Sequence, residues 1–150
     1  TMVVQNSDGI REIAAEDFFI GPDVDIERMT VLEPGDVLTS IKIPARWAGA
    51  TFYFEKVADR ATWDFPLVNI AAAIQLSGNT VEDIRIVCGA VSCVPRRLTV
   101  VEDIVRGSTR DAETVDLAAG AASRGAVTLN YNHFKIPLME NLVRRAIRDA

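Results

Sequence analysis

The chain has 150 residues, a formal net charge of −5, 49% hydrophobic residues and 25% charged residues. This composition is ordinary for a globular protein and excludes a disordered chain, which has fewer apolar residues. An acidic surface repels phosphates, so nucleic acid is not an expected partner. The sequence has no apolar run long enough to cross a membrane and no signal-peptide pattern, so we expect a cytoplasmic protein without a membrane partner.

The first third of the chain contains short β-type runs separated by turn signals. Asp and Gly tolerate the backbone angles of tight turns, and Pro pre-sets one of them, so each cluster of these residues marks a reversal of the chain. Strands are predicted at 2–5, 10–13 and 37–43, turns at 6–9 and 33–36, and one helical turn at 14–19. A change in composition near residues 21–31 predicts a boundary between the first hairpin and the rest.

Aromatic and alternating apolar residues predict three more strands in the middle of the chain, at 51–57, 67–76 and 81–91. A turn at 77–80 joins the last two strands as a hairpin. The run 67–76 is nearly all apolar and includes three consecutive alanines, so a helix that starts there remains an alternative.

Helical patterns follow Pro95. Thr99 and Glu102 have the spacing of a capping box, in which the Thr side chain caps a free N–H and the Glu side chain reaches back. Helices are predicted from Thr99 to Gly107, over 111–122 and from Pro137 onward, the last with an apolar stripe at Leu138, Leu142, Val143 and Ala146 or Ile147. Strands followed by helices predict an α+β fold, in which an antiparallel sheet packs against about three helices.

Most sets of catalytic residues are missing from this sequence. His133 is the only histidine, which argues against a His-rich metal site and a Ser–His–Asp triad. No Gly-rich phosphate-binding motif is present. Cys88 and Cys93 lack the spacing of zinc or redox motifs and are expected to be two buried, reduced thiols. We therefore assign neither a catalytic residue nor a metal ligand.

The segment 52–65 is rich in residues that recognise ligands. It combines aromatic rings with Lys56, Arg60 and two aspartates at a predicted strand end and the loop that follows. Loops at strand ends often carry binding groups, and an ammonium beside aromatic rings suits a flat, anionic or electron-rich ligand. The alternative is that the aromatic rings belong to the core and the charges are merely solvated.

Several segments of the chain resemble one known family, in the same order. Residues 54–68 read F-E-K-V-x-x-R-A-x-x-D-F-x-L-V, residues 32–44 resemble L-x-P-G-E-L-L-T-x-I-x-I-P, residues 87–97 resemble G-G-V-A-P-x-P-x-R, residues 131–146 resemble N-x-Y-K-x-P-L…L-V-R-R-A, and residues 13–19 resemble I-P-A-E-D-F-F. These patterns are similar to those of the flavin-binding (medium) subunits of molybdenum hydroxylases. That family includes xanthine dehydrogenase, aldehyde oxidoreductases and carbon monoxide dehydrogenase.

The resemblance implies a fold, a division of the chain and a function. It implies that residues 31–150 form the C-terminal α+β domain of such a flavoprotein, and that residues 1–30 are the tail of an FAD-binding domain whose main part lies upstream. The chain would then belong to an oxidoreductase subunit that passes electrons from iron–sulfur clusters through FAD to an acceptor such as NAD. By itself it would be inactive and would bind FAD weakly.

The resemblance also implies cofactors, partners and site residues. The molybdenum cofactor and the iron–sulfur clusters would lie on partner subunits, so a hetero-oligomer is expected. In relatives, the positions of Lys56 and Leu38 lie near the flavin ring, and the loop that ends at Asp64 lies beside it. Phe54 stands where relatives often have Tyr, so that hydroxyl is absent. The alternative hypothesis is a non-catalytic module that docks partner subunits and binds no flavin.

Overall fold

The computed structural model describes all 150 residues, and the chain divides into two compact units, Thr1–Ala48 and Gly49–Ala150. The first unit contains a three-stranded sheet, and the second contains a four-stranded sheet with three helices. Every strand pairing in both sheets is antiparallel. The predicted α+β fold with an antiparallel sheet is confirmed.

The first unit is built around its N-terminal strand. Its elements are strands β1 (Met2–Asn6), β2 (Gly9–Ile13) and β3 (Val37–Ile41), the short helix α1 (Ala15–Phe18) and a 3-10 turn at Ala45–Trp47. The strand order β2-β1-β3 places β1 at the centre of the sheet, and Val4 on this strand is fully buried. The hairpin, the helical turn and the strand predicted from the sequence are all present.

An aspartate with an enclosed side chain connects the turn before β3 to the hairpin. The carboxylate of Asp36, with its side chain 1% exposed, accepts hydrogen bonds from the Arg11 guanidinium at 2.9 and 2.5 Å. It also accepts from the Asn6 amide at 3.0 Å and from the Glu33 backbone N–H at 2.8 Å. These donors, with Arg11 first among them, hold the pKa of Asp36 well below its usual range.

The second unit contains four strands and three helices. The strands are β4 (Thr51–Val57), β5 (Val68–Ser77), β6 (Thr80–Gly89) and β7 (Arg96–Arg97), in the order β4-β5-β6-β7. The helices are α2 (Thr99–Val105), α3 (Ala112–Ala122) and α4 (Lys135–Asp149). Gly78 adopts a φ of 60° in the turn of the β5–β6 hairpin, a conformation that glycine adopts without steric cost. The helical alternative for 67–76 is wrong.

One face of the four-stranded sheet forms the core of this unit. Helices α2 and α4 pack on the sheet, and α3 packs on both of them. The alternation of β5 and β6 sends every second side chain into this layer, where the buried residues include Ile70, Ile74, Ile84, Ile86, Leu142 and Ile147. The predicted apolar stripe of α4 is buried at Leu142, Val143, Ala146 and Ile147, and Met139 also belongs to it.

The capping box predicted at the start of α2 is wrong. The residue that precedes the helix is Leu98, and no side chain caps the helix. The Glu102 carboxylate instead accepts hydrogen bonds from Arg97 at 2.9 and 2.7 Å and from the Ile86 backbone N–H at 3.2 Å. Thr99 is the first residue of the helix and not the residue before it, so its hydroxyl does not cap the helix, and the Glu102 carboxylate is bound by Arg97.

The two cysteines differ in their surroundings. Cys88 is buried on β6, and burial raises the pKa of its thiol to about 11. Cys93 is exposed, so the prediction of two buried thiols is correct for Cys88 and wrong for Cys93. Cys93 lies in the irregular segment between β6 and β7, outside the alternation that carries Cys88 into the core.

The boundary between the two compact units falls between Ala48 and Gly49. Strand β3, which the resemblance groups with the C-terminal domain, pairs with β1 of the first unit. The assignment of residues 1–30 to the end of an FAD-binding domain stays a prediction. Among the helices of the structure, none is long and apolar enough to span a membrane.

Candidate functional site

The face of the four-stranded sheet that points away from the helices is apolar and open to solvent. Because side chains alternate along a strand, the residues between the core positions of β4, β5 and β6 all lie on this side. The strand register aligns Phe54 with Ala71 and Val87, and Phe52 with Ala73 and Arg85. We call this surface the open face; its members are Phe52, Phe54, Lys56, Asn69, Ala71, Ala73, Arg85, Val87 and Gly89.

The open face has the shape of a shallow apolar depression. Phe52 and Phe54 are 63% and 67% exposed, and the small side chains of Ala71 and Ala73 lie beside them on β5. Together with Arg85 and Val87, these residues line a cavity of about 390 Å³. Large exposed aromatic surface of this kind marks a place where a protein binds something.

Lys56 stands at one end of the open face. Its register partner on β5 is Asn69, and the partner of Asn69 on β6 is Gly89. The Lys56 Nζ donates a hydrogen bond to the Asp64 backbone oxygen at 2.8 Å. An ammonium has three donors, so two of them remain for another acceptor.

Asn69 and Gly89 are packed tightly against each other. A Cβ placed on Gly89 would lie 2.1 Å from the Asn69 Oδ1, so a larger residue at position 89 would displace the Asn69 side chain. The Oδ1 atom is buried and has no hydrogen-bond partner. A buried acceptor without a donor is uncommon in proteins, and this one belongs to the cross-strand neighbour of Lys56.

The loop between β4 and β5 is held by its own polar contacts. The Asp64 carboxylate accepts a hydrogen bond from the Arg60 backbone N–H at 2.8 Å and lies 3.6 Å from the Arg60 guanidinium. Arg60 also donates to the Trp63 backbone oxygen at 2.9 Å. Trp63 has a φ of 50° and is 96% exposed. The loop therefore projects an aromatic ring into solvent from a closed backbone.

Three of the four predicted site residues lie together. Phe54 and Lys56 share the open face of β4, and Asp64 follows in the loop that Lys56 contacts. The Asp64 carboxylate is occupied by the loop itself. Leu38 lies on β3 of the other unit and is partly exposed.

The structure adds site residues on β5 and β6 that the sequence did not indicate, and it decides one alternative. Ala71, Ala73, Arg85 and Val87 share the open face with Phe52 and Phe54. The sequence signal for these residues was the alternation of side chains along β5 and β6. That alternation shows which residues share a face only when the register of the hairpin is known. The alternative that the aromatic rings of 52–65 are core is wrong for the phenylalanines and Trp63, which are exposed, whereas Tyr53 packs against the core.

Residues 53–150 match the family model described as the CO dehydrogenase flavoprotein C-terminal domain, which is more than half of the chain. The chain belongs to this family. The resemblance to the medium subunits of molybdenum hydroxylases is thereby confirmed. The matched region begins within β4 and contains the open face apart from Phe52.

Named relatives agree with this assignment. The chain is 28% identical over 154 residues to the nicotine 6-hydroxylase medium subunit of Paenarthrobacter nicotinovorans, covering 98% of this chain and 50% of that protein. It is 32% identical over 152 residues to the carbon monoxide dehydrogenase medium chain of Hydrogenophaga pseudoflava, covering 99% of this chain and 51% of that one. These relatives are subunits of oxidoreductases.

A solved structure shares the fold. Carbon monoxide dehydrogenase from Hydrogenophaga pseudoflava superposes with a TM-score of 0.84 at 29% identity, covering 97% of this chain and 50% of the matched chain. The chain thus spans about half the length of the curated relatives it matches. The medium-subunit family and its fold are therefore established for the region that this chain covers.

Proposed function

We propose that this chain is part of the FAD-carrying medium subunit of a molybdenum-containing oxidoreductase. In this proposal the subunit passes electrons from iron–sulfur clusters through FAD to an external acceptor such as NAD. The observation that carries it is the open face, an exposed aromatic and alanine surface with a lysine at its end. Membership of a flavoprotein family supports the same reading.

The residues of the open face fit one side of a flavin ring. Bound flavin exchanges electrons as hydride or one at a time. A flat ring binds best against a flat apolar surface. Phe52 and Phe54 on β4 and the small alanine side chains on β5 form such a surface, since they are aligned side by side. The cavity of about 390 Å³ lies within the usual range for small-molecule and cofactor sites.

Lys56 would serve as the cation beside the ring. Its ammonium is exposed, and one of its donors is anchored on the Asp64 backbone oxygen. The anchor limits the freedom of a long side chain, so less entropy is lost when the remaining donors bind an acceptor. A positive charge placed there stabilises negative charge that develops on a reduced ring.

Asp64 and Leu38 have supporting roles in this proposal. Asp64 binds the Arg60 backbone N–H and so keeps the loop, and with it the anchor of Lys56, in place. Leu38 lies on β3, and its place near the flavin rests on the family resemblance alone. Companion subunits carry the molybdenum cofactor and the iron–sulfur clusters, the complex is a hetero-oligomer, and its location is the cytoplasm.

The test replaces Lys56 by Gln in the complete medium subunit and measures flavin content and midpoint potential. Loss of the charge should lower the potential by about 30 mV or more, which corresponds to about 1.4 kcal/mol for a two-electron couple, because the reduced ring loses its cation. Lys42→Gln is the matched control and should leave the potential unchanged. Lys42 lies in the first unit, where it pairs with Glu12.

A second candidate function is a docking module that binds no flavin. The exposed Trp63 and Phe65 of the β4–β5 loop favour this alternative, since aromatic rings are enriched in protein interfaces. An unchanged potential in Lys56→Gln, together with normal assembly of the complex, would contradict the role of Lys56. A complete subunit that assembles but contains no flavin would establish the docking module instead.

A further inference from the structure

Almost every cationic side chain of this protein has a partner. The chain has 16 Lys and Arg residues, and the guanidinium groups contact carboxylates, carbonyl oxygens or, for Arg46, the Trp47 ring. Arg96 and Arg124 are the exceptions, because neither guanidinium has a hydrogen bond or an ion pair. Both side chains belong to exposed residues.

The two unpaired arginines lie on one groove. Recesses of about 230 and 140 Å³ share Arg96, Leu98, Ala122 and Arg124 among their lining residues. The groove runs between β7 and the end of α3, where Arg96 and Arg124 are located. It lies in a different part of the second unit from the open face, since the two sets of lining residues have no member in common.

The groove combines an apolar floor with positive charge. Leu98, Ala122 and Met139 form the floor and are buried. No aspartate or glutamate lines either recess, although the chain as a whole carries a net charge of −5. A concave surface lined by charge of one sign attracts ligands of the opposite sign, so an acidic ligand with an apolar part fits it.

We propose that this groove docks an acidic segment of a companion subunit in the oxidoreductase complex. Carboxylates of that segment pair with Arg96 and Arg124, and an apolar side chain between them covers Leu98 and Met139. The inference rests on the proposed function, which provides the companion subunits.

The charge and shape of the groove favour a protein segment over a free anion. Exposed guanidinium groups bind free anions weakly because water and salt screen them. Two adjoining recesses that share a pair of arginines instead suit an extended chain with two acidic side chains. Strand β7 is also the edge strand of its sheet, so no neighbouring strand covers that side of the groove.

The experiment uses the complete medium subunit and its companion subunits. Arg96→Gln/Arg124→Gln should weaken their association at least about tenfold and reduce its dependence on salt, because the charge complementarity is lost. Arg144→Gln/Arg148→Gln removes the same charge from guanidinium groups that pair with Asp116 and Asp149, and this control should associate normally. Circular dichroism verifies that both variants are folded.

A cross-linking experiment identifies the occupant of the groove. A photoreactive side chain introduced at Ser92, which lines the larger recess, should link to an acidic segment of a companion subunit. Links only to the same subunit or to a second copy would overturn the proposal, and so would unchanged affinity of the double variant. Flavin content separates the two proposals. A complete subunit that contains no flavin contradicts the proposed function. A subunit with normal flavin content, whose double variant binds the companion subunits with unchanged affinity, contradicts only this inference.

Discussion

At the scale of single residues, one buried carboxylate connects neighbouring elements of the second unit. Glu102 has a side chain that is 1% exposed and accepts hydrogen bonds from Arg97 and from the Ile86 backbone N–H. These bonds join α2 to β6 and to the segment before the helix. A buried carboxylate is stable only while its donors remain, and the donors likewise depend on it.

Replacement of Glu102 by Leu should lower the free energy of unfolding by about 1–3 kcal/mol, because it leaves the buried Ile86 backbone N–H and the partly exposed Arg97 guanidinium without their acceptor. Urea unfolding followed by circular dichroism measures the change. Glu82→Leu is the control, since Glu82 is exposed on β6 and should cost about 0.5 kcal/mol or less. Equal costs for the two variants would show that the Glu102 network does not stabilise the fold.

The lowered pKa of Asp36 predicts how the stability of the first unit changes in acid. Its folded pKa lies below the ordinary value because Arg11, Glu33 and Asn6 donate to the ionised form. Its contribution to stability is therefore present above about pH 4, the range of an ordinary aspartate, and is lost as pH falls through the folded pKa.

Amide NMR signals of β1 should accordingly weaken or shift as pH falls below about 4. Asp36→Asn should lose stability at neutral pH and show a flatter acid response. The control Asp8→Asn, in the exposed turn of the hairpin, should behave like the original protein. An acid response in Asp36→Asn equal to that of the original would assign the effect to other carboxylates.

At the scale of elements, the beginnings of two helices differ in a way that sequence patterns did not distinguish. Helix α3 has a side-chain cap, since Asp111 accepts the Thr114 backbone N–H at 2.9 Å. Helix α2 has none. Both starts contain a residue type that commonly caps helices, but Thr99 lies inside α2, and the residue before that helix is Leu98.

The helix starts predict a difference between two alanine substitutions. Asp111→Ala removes the cap of α3 and should lower the midpoint of urea unfolding, whereas Thr99→Ala removes no capping bond and should have a clearly smaller effect. Both substitutions are compared in the same chain by the same unfolding measurement. A larger loss of stability for Thr99→Ala than for Asp111→Ala would show that Thr99 does cap α2.

At the scale of the whole molecule, the main apolar core belongs to one unit. All members of the core cluster lie between Val68 and Ile147, inside the unit Gly49–Ala150. The first unit buries few apolar side chains, namely Val3, Val4, Phe18 and Trp47. The two units therefore differ in how much stability each can supply from its own core.

We expect residues 49–150, expressed alone, to fold and to unfold in one cooperative transition, because the segment contains the whole cluster. Residues 1–48 alone should show no such transition, since so short a segment buries too little surface. Circular dichroism during urea titration measures both. A non-cooperative 49–150 segment would show that its core requires the first unit.

The local sequence by itself determined most of the secondary structure of this protein. Turn residues and alternation placed the hairpins and most of the strands, and helical periodicity placed α3 and α4, because these features depend on neighbours along the chain. Family patterns selected Phe54, Lys56 and Asp64, which lie close in sequence. The roles of these residues stay predictions.

Only the tertiary structure decided which residues meet across elements. The register of β4, β5 and β6 brought Phe54 together with Ala71 and Val87 on the open face. Cys88 is buried whereas Cys93 is exposed, and the Glu102 carboxylate pairs with Arg97 and not with the start of its own helix. The groove of Arg96 and Arg124 arises in the same way. The physical reason is that a pattern in the sequence reports a residue's local conformation, whereas its partners depend on how the elements pack.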